Sequence, residues 1–122
     1  MTTTLGLRSY IIKVGNMAEA KEFYTKAFGI APYFDEPFYM GWNIQGYELG
    51  MVPADDKTVV GNNIETYWGV EDMDATIAHF ESCGARLTYG PEDVGSGIIT
   101  AIVNDPWDNQ IGLIINPHFK LP

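Results

Sequence analysis

Basic residues are scarce in this chain. Seven Lys and Arg stand against 16 Asp and Glu among 122 residues, a formal net charge of −9. The few cations are scattered and form no stripe to meet a phosphate backbone, which excludes a nucleic-acid partner. The acidic balance favours solubility and names no partner. Cysteine is scarcer still: Cys83 stands alone, so neither an intrachain disulfide nor a thiolate metal cluster is available. Its place at an apolar helix end, just before Gly84, reads as a buried structural thiol. No apolar run approaches the roughly 18 residues of a membrane span. The opening Met1-Thr2-Thr3-Thr4 lacks the basic start and apolar stretch of a secretion signal, so a cytoplasmic location is the expectation. What is plentiful is apolar: 46% of residues are hydrophobic and only 19% charged, the balance of one packed domain rather than a disordered chain.

The apolar residues are arranged in a repeat. The run Tyr10-Ile11-Ile12-Lys13-Val14-Gly15-Asn16-Met17 is answered, 56 residues on, by Thr66-Tyr67-Trp68-Gly69-Val70-Glu71-Asp72-Met73. Each is a short β-type run, then a capping residue, then Met. In the first, Asn16 can accept from first-turn N–H groups and Glu19 stands three residues on, as in a capping box. Met17, Ala20, Phe23, Tyr24, Ala27 and Phe28 then recur at helical spacing, and Gly29 supplies a left-handed stop. In the second, Asp72 caps, Met73, Ile77 and Phe80 form a narrower stripe, and Gly84 ends the helix.

Each helix is followed by β-rich sequence. Candidate strands run over 31–35, 37–43 and 47–53 in the first half and 85–89, 98–104 and 110–116 in the second. Gln45-Gly46 is a tight hairpin turn, Pro91 to Gly97 a longer glycine-containing loop, and Asp105 to Asn109 a turn. The closing strands align as Tyr47–Pro53 against Ile111–Pro117, an offset of 64, and Asp55 to Asn63 is a polar linker. Strand, cap, helix, stop and closing strand recur in order, which predicts an α+β fold of tandem βαβββ modules, one over about 5–53 and one over about 64–119, with the linker at 54–63.

Four segments carry a resemblance to a known family: Gly46-Tyr47-Glu48-Leu49-Gly50, Tyr67-Trp68-Gly69-Val70-Glu71-Asp72, Asp105-Pro106-Trp107-Asp108-Asn109 and Asn116-Pro117-His118-Phe119. With the module order they make the chain similar to the vicinal oxygen chelate superfamily of glyoxalases, bleomycin-resistance proteins and ring-cleaving dioxygenases, in a glyoxalase-like subgroup of unassigned reaction. The resemblance implies a curled, mixed-sheet cup. In metal-dependent members it also implies a divalent ion held by His or Gln on the first strand and Glu on the last strand of each module, poised as a Lewis acid for two adjacent substrate oxygens.

Carried onto this sequence, those four positions fall on Ser9, Glu48, Glu65 and Gly112. The implied ligand set is incomplete, because Ser9 and Gly112 replace usual ligands. Glu48 and Glu65 remain as candidate catalytic acids or bases, and as ligands of an all-oxygen Mg²⁺ or Mn²⁺ site if a metal is bound. Strand alternation puts Ser9, Ile11 and Lys13 on one face and Tyr10, Ile12 and Val14 on the other; Glu65, Tyr67 and Gly69 likewise oppose Thr66, Trp68 and Val70. The resemblance implies that the polar faces are the cup faces, which would bring Glu48, Glu65 and Lys13 in or near one cavity; the alternative is that Lys13 pairs with one glutamate or that the acids face solvent at the rim. Tyr39, Trp42, Tyr67 and Trp107 are candidate aromatic walls, with core packing an equal account of any one of them; His118 is a candidate to reach across the cup mouth or a subunit boundary, with a surface or packing role the simpler account. His79 is an exposed helix residue. Gly95-Ser96-Gly97 resembles a piece of a phosphate loop but precedes a strand.

Three function classes follow: a lyase or isomerase using the cup carboxylates; a sequestering protein for a hydrophobic or aromatic small molecule, as in bleomycin resistance; and a metal enzyme with an atypical oxygen site. The resemblance implies a homodimer in each case.

Overall fold

Asn16 and Asp72 start the two helices as their positions suggest. In the computed structural model, which describes residues 7–61 and 64–118, the side chain of Asn16 accepts from the Glu19 N–H and that of Asp72 from the Ala75 N–H, each at 3.0 Å. Helix α1 spans Met17–Phe28 and buries Ala20, Phe23, Tyr24 and Ala27. Helix α2 spans Met73–Ser82 and buries Met73, Ile77 and Phe80, the stripe expected from helical spacing. Gly29, at φ 73°, stops α1. Beyond α2, Gly84 takes φ 114°, and the Ala85 and Gly84 N–H groups turn back to the Phe80 and Glu81 carbonyls, which satisfies the orphaned helix end. Cys83 is half-buried rather than buried.

The chain divides into two compact units, 1–58 and 59–122. The first has strands β1 (Ser9–Val14), β2 (Phe34–Glu36), β3 (Tyr39–Ile44) and β4 (Tyr47–Pro53), ordered β1-β4-β3-β2. The second has β5 (Tyr67–Gly69), β6 (Arg86–Gly95), β7 (Ile98–Asn104) and β8 (Gln110–Ile115), ordered β5-β8-β7-β6. In each unit the first and last strands pair in parallel and the remaining pairs are antiparallel. Each unit is thus one βαβββ module with a mixed four-stranded sheet. Residues 5–6 and 119 of the expected modules, and 62–63 of the expected linker, lie outside the described residues.

One face of each sheet is the core. In unit one it carries Ile12, Val14, Met40, Trp42, Leu49 and Met51; in unit two Ala101, Val103, Ile111 and Leu113, each under one-tenth exposed. Trp42 is fully buried, 6.0 Å from the Tyr24 ring, with its Nε1 toward the Thr25 hydroxyl at 3.4 Å. The expectation that Trp42 walls a binding site is therefore corrected: period-two alternation puts it on the opposite face from Glu48, against α1.

Two sequence expectations about unit two change. The segment expected to loop from Pro91 to Gly97 is mostly strand: β6 runs to Gly95 with three register shifts against β7. Gly90 makes this possible. It adopts φ 76° and lies so close to β7 that a Cβ there would be 2.5 Å from the Thr100 carbonyl oxygen. Gly95-Ser96-Gly97 is the start of a hairpin turn, with Ser96 and Gly97 at φ 57° and 78°, the same device that Gln45-Gly46 provides at 54° and 91°.

The closing-strand alignment also moves by two residues. Ile12 pairs with Met51, and Trp68, its counterpart 56 residues on, pairs with Leu113. The counterpart of Glu48 is therefore Gln110, at an offset of 62, and Glu48-Leu49-Gly50 answers Gln110-Ile111-Gly112. A two-residue shift keeps the face, which is why the face assignment survives it.

The Asp105 turn ties β7 to β8. Asp105 is 1% exposed, and its carboxylate accepts from the Trp107 N–H (2.9 Å), the Asn109 N–H (2.8 Å) and the Asn109 side-chain amide (2.9 Å). Replacing Asp105 with Ala removes all three acceptors from a buried turn. It is expected to cost about 3 kcal/mol, measured by urea unfolding monitored by circular dichroism.

Candidate functional site

The unburied face of unit one holds a carboxylate set among hydroxyls. Parallel pairing puts Ser9 directly beside Glu48, and the Ser9 hydroxyl donates to Glu48 Oε1 at 2.6 Å. The Tyr33 hydroxyl donates to Oε2, and the Tyr39 phenol on the same face adds a weaker pull on the carboxylate. These donors, Ser9 foremost and then Tyr33 and Tyr39, hold the Glu48 carboxyl below its ordinary pKa against the opposing effect of its partial burial. The phenols move the other way. Tyr33 is raised, chiefly by its bond to Glu48. Tyr39 is pushed up to about 12, first by burial and then by Glu48. Near neutral pH the cluster is one carboxylate anion with three protonated hydroxyls.

Glycines make this arrangement possible. A Cβ on Gly41 would stand 2.8 Å from Tyr33 Cε1, and one on Gly50 would collide with the Tyr39 hydroxyl. The two phenols lie across a bare patch of sheet to reach Glu48. Around them are apolar surfaces open to solvent: Ile11 is 52% exposed, Tyr33 61% and Phe38 67%. The Phe34 ring lies 6.0 Å from Tyr39 and 6.1 Å from Phe38.

Unit two repeats the motif in part. The Tyr67 hydroxyl donates to Glu65, which, followed by burial, pushes Tyr67 up to about 12. A Cβ on Gly112 would collide with the Thr66 carbonyl oxygen and stand 2.7 Å from Tyr67 Cδ1. Gly112 is thus a floor for Tyr67, and Gln110 stands where the first module has Glu48. The same face holds a cavity of about 470 Å³ lined by Arg86, Thr88, Tyr89, Ile102, Asn104 and Gln110, with Asp108 and Val60 at its border. The register shift between Leu87 and Tyr89 turns the consecutive Thr88 and Tyr89 into this one cavity. Thr88 donates to Asn104 Oδ1 at 3.0 Å, and Arg86 pairs with Asp108 at 3.5 Å.

The remaining sequence candidates are placed as follows. Lys13 is exposed on the Glu48 face, four pairing rows beyond Ser9. Trp107 is half-buried in the Asp105 turn. His118 is exposed, and its Nε2 donates to the Ser96 carbonyl at 2.6 Å; the ring folds onto its own unit's β6–β7 turn instead of reaching out. His79 lies on α2 with Nε2 4.0 Å from Cys83 Sγ. Ser9 and Glu48 are brought together as the repeat implied. Tyr33 was missed, and so were Tyr39's approach to Glu48 over Gly50 and the whole cavity at β6. The one signal for Tyr39 was its two-residue spacing from Gly41 on the Glu48 face.

The residues do not fit the divalent ion that the resemblance implies. Glu48 already accepts two hydroxyl hydrogen bonds and Glu65 one. Neither histidine lies on a first or last strand, and no three His, Cys, Asp or Glu gather among the described residues.

Removing the Glu48 charge should release its phenols. In Glu48→Gln, Tyr33 is expected to titrate near 10 and Tyr39 to fall part-way from about 12, while Tyr67 stays at about 12. The stability held by Tyr39 is present below pH 10 and lost as pH rises through 12; that held by Glu48 is present above its ordinary pKa and lost as pH falls through the lowered value. Tyrosinate absorbance against pH measures the phenols. Unchanged titration in the variant refutes the cluster.

The family model described as Glyoxalase/Bleomycin resistance protein/Dioxygenase superfamily matches residues 6–113. Among solved structures, a glyoxalase-related enzyme from Fulvimarina pelagi is 17% identical at a TM-score of 0.80, covering 98% of this chain and 94% of its own. A glyoxalase/bleomycin resistance protein/dioxygenase family enzyme from Burkholderia phytofirmans PsJN is 16% identical at 0.76, covering 88% and 95%. The genomically encoded fosfomycin resistance protein FosX from Listeria monocytogenes is 12% identical at 0.75, covering 97% of each chain. No curated protein matches the chain.

Proposed function

Because this chain belongs to the glyoxalase/bleomycin resistance protein/dioxygenase superfamily, we propose that it is a small-molecule binding protein that sequesters an aromatic or otherwise apolar ligand on its module faces. The observation that carries this is the state of Glu48. Its carboxylate is held ionised by Ser9, Tyr33 and Tyr39, which weakens it as a base and leaves it no proton to donate as an acid. It is well suited to a fixed polar anchor. Exposed apolar rings with a few oriented polar groups are the composition of a recognition surface. The unit-two cavity, with amides, a hydroxyl and the Arg86–Asp108 ion pair, adds polar anchors without net charge to the carboxylate one.

A second reading is proton-transfer catalysis of the lyase or isomerase kind, with Glu48 and Glu65 as the reacting groups. The Tyr67–Glu65 pair favours it, since it sets a carboxylate that can accept a proton beside a hydroxyl that can carry one, on one face. The divalent-ion reading with Glu48 and Glu65 as ligands is the weakest, given their occupied oxygens. A cytoplasmic homodimer remains part of the proposal. Family practice supports the dimer, and light scattering that gives a monomer at micromolar concentration would remove it.

The test separates these readings. Thermal shift against a panel of small aromatic and α-keto compounds is expected to find ligands that raise Tm without being converted. Mn²⁺, Mg²⁺, Zn²⁺ and Ni²⁺ are expected to leave Tm unchanged. Product formation that disappears in Glu65→Gln would replace sequestration with catalysis. A stoichiometric ion lost in Glu48→Gln would replace it with the metal reading.

A further inference from the structure

We infer that the Glu48 face selects an organic cation: an ammonium or amidinium group carried on an apolar or aromatic body. The inference rests on the binding reading above and names the ligand class for one of its two faces.

The first ground is uncompensated charge. Glu48 is an anion whose partners are the hydroxyls of Ser9, Tyr33 and Tyr39. Hydroxyl dipoles stabilise a charge without cancelling it. The phenols keep their protons, so they add no positive charge and remain as donors. Among the ion pairs of the described residues, none involves Glu48. Arg8, beside Ser9 in the chain, turns its guanidinium to the Leu7 carbonyl at 3.4 Å. Lys13 lies four residues along β1 from Ser9, on the order of 13 Å along the backbone at strand rise.

The second ground is the wall. The carboxylate is flanked by the phenols of Tyr33 and Tyr39, and the Phe34 ring lies against Tyr39 and Phe38, with Ile11 and Tyr39 both over Gly50. Aromatic faces attract cations through their quadrupole and accept apolar bodies without losing a hydrogen bond. An anionic ligand would meet an unscreened carboxylate, and a neutral one would use only the rings. Two of roughly four acceptor positions on a carboxylate are taken here, which leaves room for a ligand's donors or for the close approach of a quaternary ammonium. Ser9, Tyr33 and Tyr39 fix where that charge sits, so the site is ordered before the ligand arrives.

The discriminating experiment uses three probes of one shape, benzyltrimethylammonium, benzyl alcohol and benzoate, titrated into the full chain and followed by ¹H–¹⁵N chemical shifts. The ammonium is expected to bind about tenfold more tightly than the alcohol, benzoate least, with the largest shifts at β1 and β4 and weakening as salt is raised. Glu48→Gln, checked for its fold by circular dichroism, should lower ammonium affinity about tenfold while leaving the alcohol nearly unchanged. Phe38→Ala, which alters an exposed ring, should lower ammonium and alcohol binding together.

Equal affinity for ammonium and alcohol, an unchanged preference in Glu48→Gln, or ammonium shifts centred on the Arg86 cavity would each overturn the inference. If the alcohol binds as well as the ammonium, the binding proposal stands and only the charge selection falls. If no probe binds the wild type, both fall.

Discussion

Each module is closed by a parallel pairing of its first and last strands, and the rest of the site depends on that closure. Parallel strands cannot be joined by a tight turn. The α-helix after the first strand and the antiparallel strands that follow are the connection that carries the chain back. The helix covers one face of the sheet with Ala20, Phe23, Tyr24 and Ala27 in unit one and with Met73, Ile77 and Phe80 in unit two. That burial forces the other face to be the working face. The same pairing sets Ser9 next to Glu48, residues 39 apart in the chain.

On this common frame the two halves have diverged in charge. Glu48 and Gln110 occupy equivalent rows, and Gly50 and Gly112 are equivalent floors beneath Tyr39 and Tyr67. The first half concentrates one negative charge among hydroxyls and rings. The second replaces it with an amide and opens a cavity through the irregular strand β6. A change from carboxylate to amide keeps shape while removing charge. It changes the charge of the face without disturbing the sheet.

The helices were legible because their signals are local. A cap, a stripe at three- and four-residue spacing and a glycine stop need only neighbouring residues, and Asn16, Asp72, Gly29 and Gly84 behave accordingly. Strand β6 was not legible. Gly90, Pro91 and Gly95 punctuate it as a loop, and only β7 alongside absorbs the three extra residues into a bulged ladder. The closing-strand match slipped by two residues for the same reason: alternation identifies a face, while register is a property of the partner strand.

The sequence by itself determined the repeat, the helix limits, the two-residue turn at Gln45-Gly46 and the face on which Ser9, Glu48 and Tyr67 stand, since all of these follow from periodicity and backbone preference over a few residues. Tertiary structure alone decided that Tyr33 and Tyr39 converge on Glu48, that Gln110 is its counterpart, and that Trp42 belongs to the core of unit one. Those outcomes require strands from different parts of the chain to be set side by side. They also require glycines where one strand's side chains must lie flat across another.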